Sequence, residues 1–312
     1  MARMIAIDVG DGGDRVASRL RRTLGLDADD LVVLSDDDVD TRGAGVLLSG
    51  GSRRDRLEKV ITADTEWIHV LQTGVDGFPF DLTGDRLLTC SRGASSVAIS
   101  EFVLAAMLAF VKRVPEVWIS GPDESNAIEL GQLAGRTLGL IGIGGIGSAT
   151  AARALAFDMH VTAYRRTGSP SPVDGVVIAS DLEELLGASD HVVVAAPATA
   201  ASRHLLDRRA FDSMRDGVHL VNISRGALVD QDALLGALES GRVAMATLDV
   251  TDPEPLSPGH PLYSHPRVRV SPHVSWSAPS TMRRSMELFE ENFLLHVAGR
   301  PLSGVVDTAA GY

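Results

Sequence analysis

The chain has 312 residues, of which 45% are hydrophobic and 22% are charged, a composition typical of soluble globular proteins long enough for two domains. Its 41 acidic residues against 29 basic ones give a net charge of −12, which argues against a surface for nucleic acid or anionic membranes. The single cysteine, Cys90, excludes a disulfide within the chain, and Asp8 and Asp11 interrupt any apolar signal region, so we expect a cytoplasmic protein.

The first 96 residues alternate short apolar runs with helix-like segments, as α/β domains do. Strands are predicted at 4–9, 31–34, 45–48 and 67–72, and a helix is predicted at 14–24. The acidic run at 36–40 favours a solvated turn over a metal site, because adjacent Asp side chains cannot all point at one ion. No glycine-rich nucleotide motif occurs here, so we expect a smaller α/β domain.

A strand, a glycine turn, a helix and a second strand are predicted between Leu138 and Arg166. Gly142, Gly144 and Gly147 stand in G-x-G-x-x-G spacing between the first strand and the helix, where they allow a tight turn, approach of a pyrophosphate and close helix packing. The free N–H groups and positive dipole of the helix start suit that pyrophosphate. Such spacing can arise by chance, but its flanking elements favour a dinucleotide site formed by Gly142, Gly144, Gly145, Ile146 and Gly147.

The later part of the chain continues this α/β alternation. Strands are predicted at 176–178, 191–196, 218–223, 243–250 and 268–270, and helices at 182–186, 202–214, 231–240 and 280–298. A long apolar helix at 96–114 precedes the glycine turn, followed by an irregular arm at 115–132. We therefore predict two Rossmann-like α/β domains with parallel sheets, separated by a cleft. The smaller, discontinuous domain covers 1–96 and about 299–312, and the dinucleotide-binding domain covers 97–298.

Three polar residues follow predicted strands, at the sheet edge where open α/β sheets bind ligands. Arg225 lies in VNISRGALVD, Glu254 in LDVTDPEPL and His273 in SPHVSW. Arginine pairs with a substrate carboxylate, histidine can protonate an alkoxide near neutral pH, and a neighbouring carboxylate orients the imidazole and stabilises its charged form. Taken singly, Arg225 could be a surface residue and Glu254 a solvated loop acid. His260 and His265 lack a third ligand, so no metal site is predicted.

These stretches resemble the D-isomer-specific 2-hydroxyacid dehydrogenases over nearly the whole chain. The matching segments are LQTGVDGF (71–78), ISEFVLAAMLA (99–109), LAGRTLGLIGIGGIG (133–147), VVVAAPATAASRHLLD (192–207), VNISRGALVDQDAL (221–234), LDVTDPEPL (248–256) and HPLYSHPRVRVSPHV (260–274). The resemblance implies that Arg225 binds the substrate, Glu254 is the carboxylate partner and His273 is the acid/base. It also implies backbone N–H groups of Gly74 and Val75 on the substrate carboxylate, and a cofactor contact formed by Pro197, Ile223, Ser224, Asp249 and Ser275. A homodimer, formed through the 102–111 helix and the arm after it, is a further expectation from the family.

The cofactor preference is predicted from a departure from the family pattern. Members that prefer NAD carry an acid at the end of the second strand, where this chain has Arg165 followed by Arg166. A guanidinium pairs with the 2′-phosphate of NADP(H), so we expect NADP(H), with NAD(H) possible if both arginines face solvent. The expected reaction is reduction of a small 2-keto acid such as glyoxylate or hydroxypyruvate, or of a bulkier one. The alternatives are a corepressor-like nucleotide sensor and a dehydrogenase of formate or phosphonate.

Overall fold

The computed structural model describes residues 4–121, 128–167 and 169–312, so the part of the predicted arm at 122–127 lies outside the described residues. The chain divides into two compact units. The first unit comprises Met1–Ser95 and Ala278–Tyr312, and the second comprises Ser96–Ser277. Each unit contains one parallel sheet, which confirms the predicted α/β class. No helix in the described ranges is long and apolar enough to cross a membrane.

The first unit has a five-stranded sheet in the order β2-β1-β3-β4-β5. Its central strand β3 is buried at every position, as expected for a parallel strand covered on both faces. The elements before the long apolar helix are β1 Ile5–Asp8, α1 Gly13–Leu24, β2 Leu31–Val33, β3 Val46–Ser49, α2 Arg54–Val60, β4 Trp67–Val70 and β5 Leu87–Cys90. The predicted strands agree within two residues, whereas β5, with the sequence LLTC, is not predicted although it is as long as β1, β3 and β4.

The second unit has a seven-stranded sheet in the order β12-β11-β10-β9-β6-β7-β8. Its strands are β6 Thr137–Ile141, β7 His160–Tyr164, β8 Val176–Ile178, β9 His191–Val194, β10 Val218–Asn222, β11 Val243–Leu248 and β12 Val268–Val270. Its helices are α3 Ser96–Val111, α4 Gly145–Leu155, α5 Leu182–Ala188, α6 Arg208–Ser213, α7 Gln231–Ser240 and α8 Pro261–Ser264. The strand order reverses between β6 and β9, which is the position where doubly wound sheets bind ligands.

Two cores cover the two faces of this larger sheet. Val192 and Val194 of β9 belong to one core, with α5, α6 and α7, whereas Val193 belongs to the other, with α3 and α4. This alternation is the period of two that a strand imposes on its side chains. Helix α6 begins six residues later than predicted from the sequence, because Asp207 accepts a hydrogen bond from the Ala210 N–H and sets the helix start there.

The terminal helix α9, Pro279–Val297, belongs to the first unit, whereas the sequence analysis places it in the dinucleotide-binding domain. Its apolar face shares a core with the first sheet: Phe289 stacks on Trp67 with ring centroids 5.4 Å apart, and Phe293 is buried in the same cluster. Arg19 adds two hydrogen bonds to the Glu290 carboxylate, at 2.6 and 3.0 Å. The tail returns to this unit as predicted, because Val306 N–H donates to the Leu88 carbonyl oxygen.

Candidate active site

The glycine turn joins β6 to α4 at the switch point of the second sheet, and a Cβ would clash at two of its three motif glycines. Gly142 has φ +100°, and a Cβ there would lie 2.8 Å from the Ala195 carbonyl oxygen. A Cβ on Gly147 would lie 2.3 Å from the Gly142 carbonyl oxygen, so the helix could not pack as closely on the turn. Gly144 has open space around it, which leaves the start of α4 accessible to a phosphate group.

The arginine at the end of the second strand of this βαβ unit is held by its own loop. Arg165 Nε donates to Thr167 Oγ1 at 3.1 Å, and Arg165 Nη1 donates to the Pro170 carbonyl oxygen at 2.9 Å. Strand β7 is also tied to the glycine turn, because Gly142 N–H donates to the Tyr164 carbonyl oxygen at 2.9 Å. The guanidinium therefore has a defined position beside the dinucleotide motif.

Arg225 follows β10 and is placed by a buried asparagine. Asn222 Nδ2 donates to the Arg225 carbonyl oxygen at 2.9 Å, and Asn222 Oδ1 accepts from Ser224 N–H at 3.1 Å. Arg225 Nη1 donates to the Ser224 carbonyl oxygen at 2.7 Å, and Ser224 Oγ donates to the Ala196 carbonyl oxygen, which ties the turn to the segment before Pro197. Asn222 is not identified by the sequence analysis, although it stands three residues before Arg225 in the same motif.

His273 and Glu254 form a direct pair. Their atoms Nδ1 and Oε1 lie 2.7 Å apart, and Glu254 Oε2 accepts from Thr251 N–H at 3.2 Å. The pair is accessible to a small molecule, since the side chains of His273 and Glu254 are 38% and 41% exposed. With Nδ1 engaged by the carboxylate, Nε2 is the ring nitrogen that can exchange a proton with a substrate. Glu254 is therefore paired with His273, although its side chain is exposed to solvent.

A buried aspartate holds the turn that carries His273. Asp249 is 1% exposed, and its Oδ1 accepts from Ser271 Oγ at 2.6 Å and from Val274 N–H at 2.9 Å. Its Oδ2 accepts from Ser275 N–H at 2.9 Å. His273 has φ +54°, a strained conformation that such a set of bonds can maintain. The family resemblance predicts that Asp249 and Ser275 contact the cofactor, which stays a prediction, and the bond between them supports the His273 turn.

Three other histidines are buried and unsuited to proton transfer near neutral pH. Burial lowers the pKa of His69 to about 3 and that of His191 to about 4, and it also lowers the pKa of His219 well below its usual range. The Cys90 thiol is also buried, and burial raises its pKa, so it is a poor nucleophile. Among the exposed histidines, His204 Nδ1 lies 4.0 Å from Asp230 Oδ2, whereas His273 Nδ1 lies 2.7 Å from Glu254 Oε1 and follows β12 by three residues.

The remaining predicted site residues are distributed between the two units. Ile223 is buried at the end of β10 in the second unit. Gly74 and Val75 lie in the first unit, where the Val75 side chain is buried in the core and Thr73 Oγ1 donates to the Ser91 carbonyl oxygen at 3.1 Å. Their role as N–H donors to a substrate carboxylate stays a prediction. Within the described residues, no group of three or more His, Cys, Asp or Glu side chains is arranged to hold a metal ion.

The site residues can be compared with known proteins. The sequence model of the D-isomer specific 2-hydroxyacid dehydrogenase NAD binding domain matches residues 104–275, which contain the glycine turn, Arg225, Glu254 and His273. The chain belongs to the D-isomer-specific 2-hydroxyacid dehydrogenase family. It is therefore an NAD(P)-dependent oxidoreductase of 2-hydroxy acids, and the predicted family, fold class and enzyme class are confirmed.

Individual relatives support the same family assignment. The chain is 36% identical to a hydroxypyruvate reductase of Thermotoga maritima over 64% of this chain and 67% of that protein. It is 33% identical to a glyoxylate/hydroxypyruvate reductase A of Serratia proteamaculans over 73% of each chain. The crystal structure of a D-isomer specific 2-hydroxyacid dehydrogenase from Xanthobacter autotrophicus Py2, in complex with NADPH and MES, superposes with a TM-score of 0.86, 26% identity and full coverage of both chains.

Proposed function

We propose that this dehydrogenase reduces a 2-keto acid of the glyoxylate or hydroxypyruvate type, or a bulkier one, and prefers NADP(H). The observation that carries the proposal is the bond between His273 Nδ1 and Glu254 Oε1 at 2.7 Å. A protein that only sensed a nucleotide would not require an exposed imidazole held by a carboxylate, so the pair favours an enzyme over a corepressor-like sensor. Relatives named as hydroxypyruvate and glyoxylate/hydroxypyruvate reductases support this substrate class.

The residues of the second unit have complementary roles in this reaction. Arg225 binds the substrate carboxylate through its planar fork and polarises the neighbouring carbonyl group. His273 gives a proton from Nε2 to the carbonyl oxygen as negative charge develops there. Glu254 keeps the ring in position and stabilises the imidazolium before the transfer. The bound nicotinamide cofactor supplies the hydride.

The glycine turn and the loop after β7 fit a phosphorylated dinucleotide. Gly142, Gly144 and Gly147 provide the close approach and helix start that a pyrophosphate requires, and Arg165 provides a cation where a ribose 2′-phosphate would be recognised. Arg166 adds a second positive charge. Pro197, Ile223, Ser224, Asp249 and Ser275 complete the proposed cofactor contact. The NADPH complex of the Xanthobacter relative supports the preference for NADP(H), while NAD(H) remains the second cofactor.

A second copy of this chain is the partner that we propose for the α3 side of the second unit. A groove of about 990 Å³ there is lined partly by Phe102, Ala106 and Phe110. Trp118 and Ile119, on the following arm, are 72% and 53% exposed, so this region offers both a groove and apolar side chains to fill one. We expect a homodimer by light scattering at micromolar concentration, and a monomeric mass would contradict it.

We place the enzyme in the cytoplasm, where the free thiol of Cys90 would stay reduced.

The function is tested by a panel of 2-keto acids against both reduced cofactors. We expect oxidation of NADPH with glyoxylate, hydroxypyruvate or phenylpyruvate, and a higher kcat/KM for NADPH than for NADH. Formate and phosphonate are assayed in the oxidative direction with both oxidised cofactors. Tight cofactor binding without turnover of any keto acid would contradict the reductase proposal and favour the sensor. Turnover of formate or phosphonate alone would assign a different substrate to the same fold.

A further inference from the structure

The backbone of Thr251 and Asp252 contacts two of the predicted catalytic loops. A Cβ on Gly226 would lie 1.9 Å from the Thr251 carbonyl carbon and 2.4 Å from the Asp252 nitrogen, so the turn after Arg225 rests directly on this peptide. From the other direction, Thr251 N–H donates to Glu254 Oε2 at 3.2 Å. A displacement of this short segment would therefore disturb the position of the Glu254 carboxylate.

Gln231, the first residue of α7, holds the same segment through both ends of its side-chain amide. Its Oε1 accepts from Asp252 N–H at 3.3 Å, and its Nε2 donates to the Asp252 carbonyl oxygen. A side chain that carries a donor and an acceptor can pair with the N–H and the carbonyl of one residue, as a neighbouring strand would. The opposite orientation of the amide would face like groups against each other, so the network determines the assignment of the two atoms.

These contacts form a continuous series of bonds that ends at the imidazole. Gln231 binds the backbone of Asp252, the adjacent residue Thr251 binds one oxygen of Glu254, and the other oxygen of Glu254 binds His273 at 2.7 Å. Glu254 is exposed, so packing alone does not hold its carboxylate. The bonds at its two oxygens are therefore the described interactions that orient it.

The contact is not needed to begin α7. Asp230 caps this helix, because its Oδ1 accepts from Asp232 N–H at 3.1 Å and from Ala233 N–H at 3.0 Å. The Gln231 side chain instead reaches a loop 21 residues later in the chain. We propose that Gln231 is a positioning residue for the Glu254–His273 pair, an inference that rests on the proposed acid/base role of His273.

The test compares Gln231→Ala and Gln231→Glu with wild type, using the keto acid that the panel identifies. Loss of the hydrogen bonds between Gln231 and the Asp252 backbone should reduce kcat by about tenfold. This is less than the roughly 10²-fold that a 1 Å misplacement at a reacting centre can cost. Reduction should also decline at a lower pH than in wild type, because a displaced Glu254 carboxylate stabilises the imidazolium less. Glu254→Gln, which removes that charge, should shift the decline further in the same direction. Affinity for NADPH and the melting temperature should stay near the wild-type values.

Gln231→Glu separates a positioning role from a general packing role. The introduced carboxylate can still accept from Asp252 N–H, but when ionised it cannot donate to the Asp252 carbonyl oxygen. Its deficit relative to wild type at the same pH should therefore narrow as the pH falls and the carboxyl gains a proton. Arg203→Gln is the matched control, because it removes only the exposed side-chain pair of Asp252, at 3.2 Å, and should leave kcat within about twofold.

The double variant Gln231→Ala/Glu254→Gln distinguishes failure of the inference from failure of the proposed function. If Gln231 acts through Glu254, the double variant should be no slower than Glu254→Gln alone. Wild-type kcat and pH profile in both Gln231 variants, or multiplicative losses in the double variant, would overturn the inference while leaving the reductase intact. Unimpaired turnover in Glu254→Gln and His273→Asn would instead overturn the proposed acid/base chemistry, and the inference with it.

Discussion

The two units use the same type of doubly wound parallel sheet, but the turns at their switch points differ in charge. In the first unit the strand order reverses at β1 and β3, and in the second it reverses at β6 and β9. Both helices that follow these first strands have a glycine N-cap, Gly12 for α1 and Gly144 for α4. The backbone differs between them, because Gly12 ends a 3-10 turn with φ −86° and ψ −6°, whereas Gly144 is extended with φ −81° and ψ −157°. Backbone and side-chain charge together therefore distinguish the two helix starts.

The first unit has acidic residues at its helix start. Asp14 lies in the first turn of α1, and Asp11 lies in the 3-10 turn that precedes it. An acid in the first turn stabilises a helix through the dipole, but it repels a phosphate. The first turn of α4 contains no acid, so its dipole remains available for a ligand. The comparison shows how one architecture can serve as a scaffold in one unit and as a nucleotide site in the other.

The largest expected effect tests whether the chemistry belongs to the second unit. His273→Asn should reduce kcat by about 10²–10⁴-fold while leaving NADPH affinity unchanged, because a positioned acid/base contributes that much to turnover. His204→Asn is a matched control: His204 also has a positive φ, +51° against +54° for His273, and Asn tolerates this region. Near-normal steady-state turnover in His273→Asn, or equal losses in both variants, would contradict the assignment.

The next effect tests how closely α4 packs on the glycine turn. Gly147→Ala places a methyl group 2.3 Å from the Gly142 carbonyl oxygen, and Gly12→Ala places one 3.9 Å from Val9 Cγ2. Overpacking of this kind costs about 1–3 kcal/mol, so NADPH affinity should fall about tenfold or more in the first variant and stay unchanged in the second. Fluorescence titration measures both, and equal affinities would show that the glycine turn does not hold the cofactor.

Reversing the charge at position 165 tests whether the second unit distinguishes NADPH from NADH at the cofactor ribose. Arg165→Asp should reduce the ratio of kcat/KM for NADPH to that for NADH by about tenfold or more, because a hydrogen bond to a charged group contributes about 1.5–3 kcal/mol. Arg209→Asp makes the same change of charge at a side chain that is 86% exposed on α6, and should leave the ratio unaltered. A wild-type ratio below one, or no change in Arg165→Asp, would show that Arg165 does not recognise the 2′-phosphate.

The smallest expected effect concerns stability against pH, and both units contribute to it. The pKa of His69, about 3 in the first unit, and that of His191, about 4 in the second, are lowered by burial, as is the pKa of His219. Below about pH 6.5 these histidines bind protons in the unfolded chain but stay neutral in the folded protein. Their contribution to the free energy of unfolding is therefore complete above that pH and is lost as the pH falls towards 4. The melting temperature should therefore be lower at pH 5 than at pH 7.5.

The variant His219→Gln checks the cause of that pH dependence. Glutamine can keep a hydrogen bond to Thr247 Oγ1, which lies 3.1 Å from His219 Nε2, but it does not titrate. The difference in melting temperature between pH 7.5 and pH 5 should be smaller than in wild type, whatever the absolute stability of the variant. An equal or larger difference would assign the acid sensitivity to other groups.

Much of the fold could be predicted from the sequence because its signals are local. The period of apolar residues and the glycine spacing predict the βαβ unit, and β7 has the predicted bounds, His160–Tyr164. The assignment of α9 to the first unit could not be predicted, because it depends on contacts between residues far apart in the sequence, such as the stacking of Phe289 on Trp67. Strand β5 was also not predicted, although it is as long as β1, β3 and β4, and its place at the end of the sheet is given by its pairing with β4.

In the candidate site, too, the residues within motifs could be predicted from the sequence, whereas the contacts between them could not. Arg225, Glu254 and His273 each stand in a recognisable motif, and the structure joins Glu254 to His273 directly. The residues that position these three, such as Asn222 and Gln231, are polar residues of types that occur throughout the chain. The role of Gln231 depends on a partner 21 residues away in the sequence. Asp249 was predicted at the cofactor, but its hydrogen bonds to the His273 turn could be found only from coordinates.

The central claim is that the start of α4 binds the nucleotide and the start of α1 does not. Calorimetric titration of the chain with NADPH tests it most directly, using wild type, Gly144→Asp and Asp14→Asn. Position 144 has room for a side chain, so Gly144→Asp adds the negative charge that the first turn of α1 carries. We predict one NADPH per chain in wild type and in Asp14→Asn, and loss of binding in Gly144→Asp. Two nucleotides per chain, or one whose affinity is unchanged in Gly144→Asp, would contradict the account.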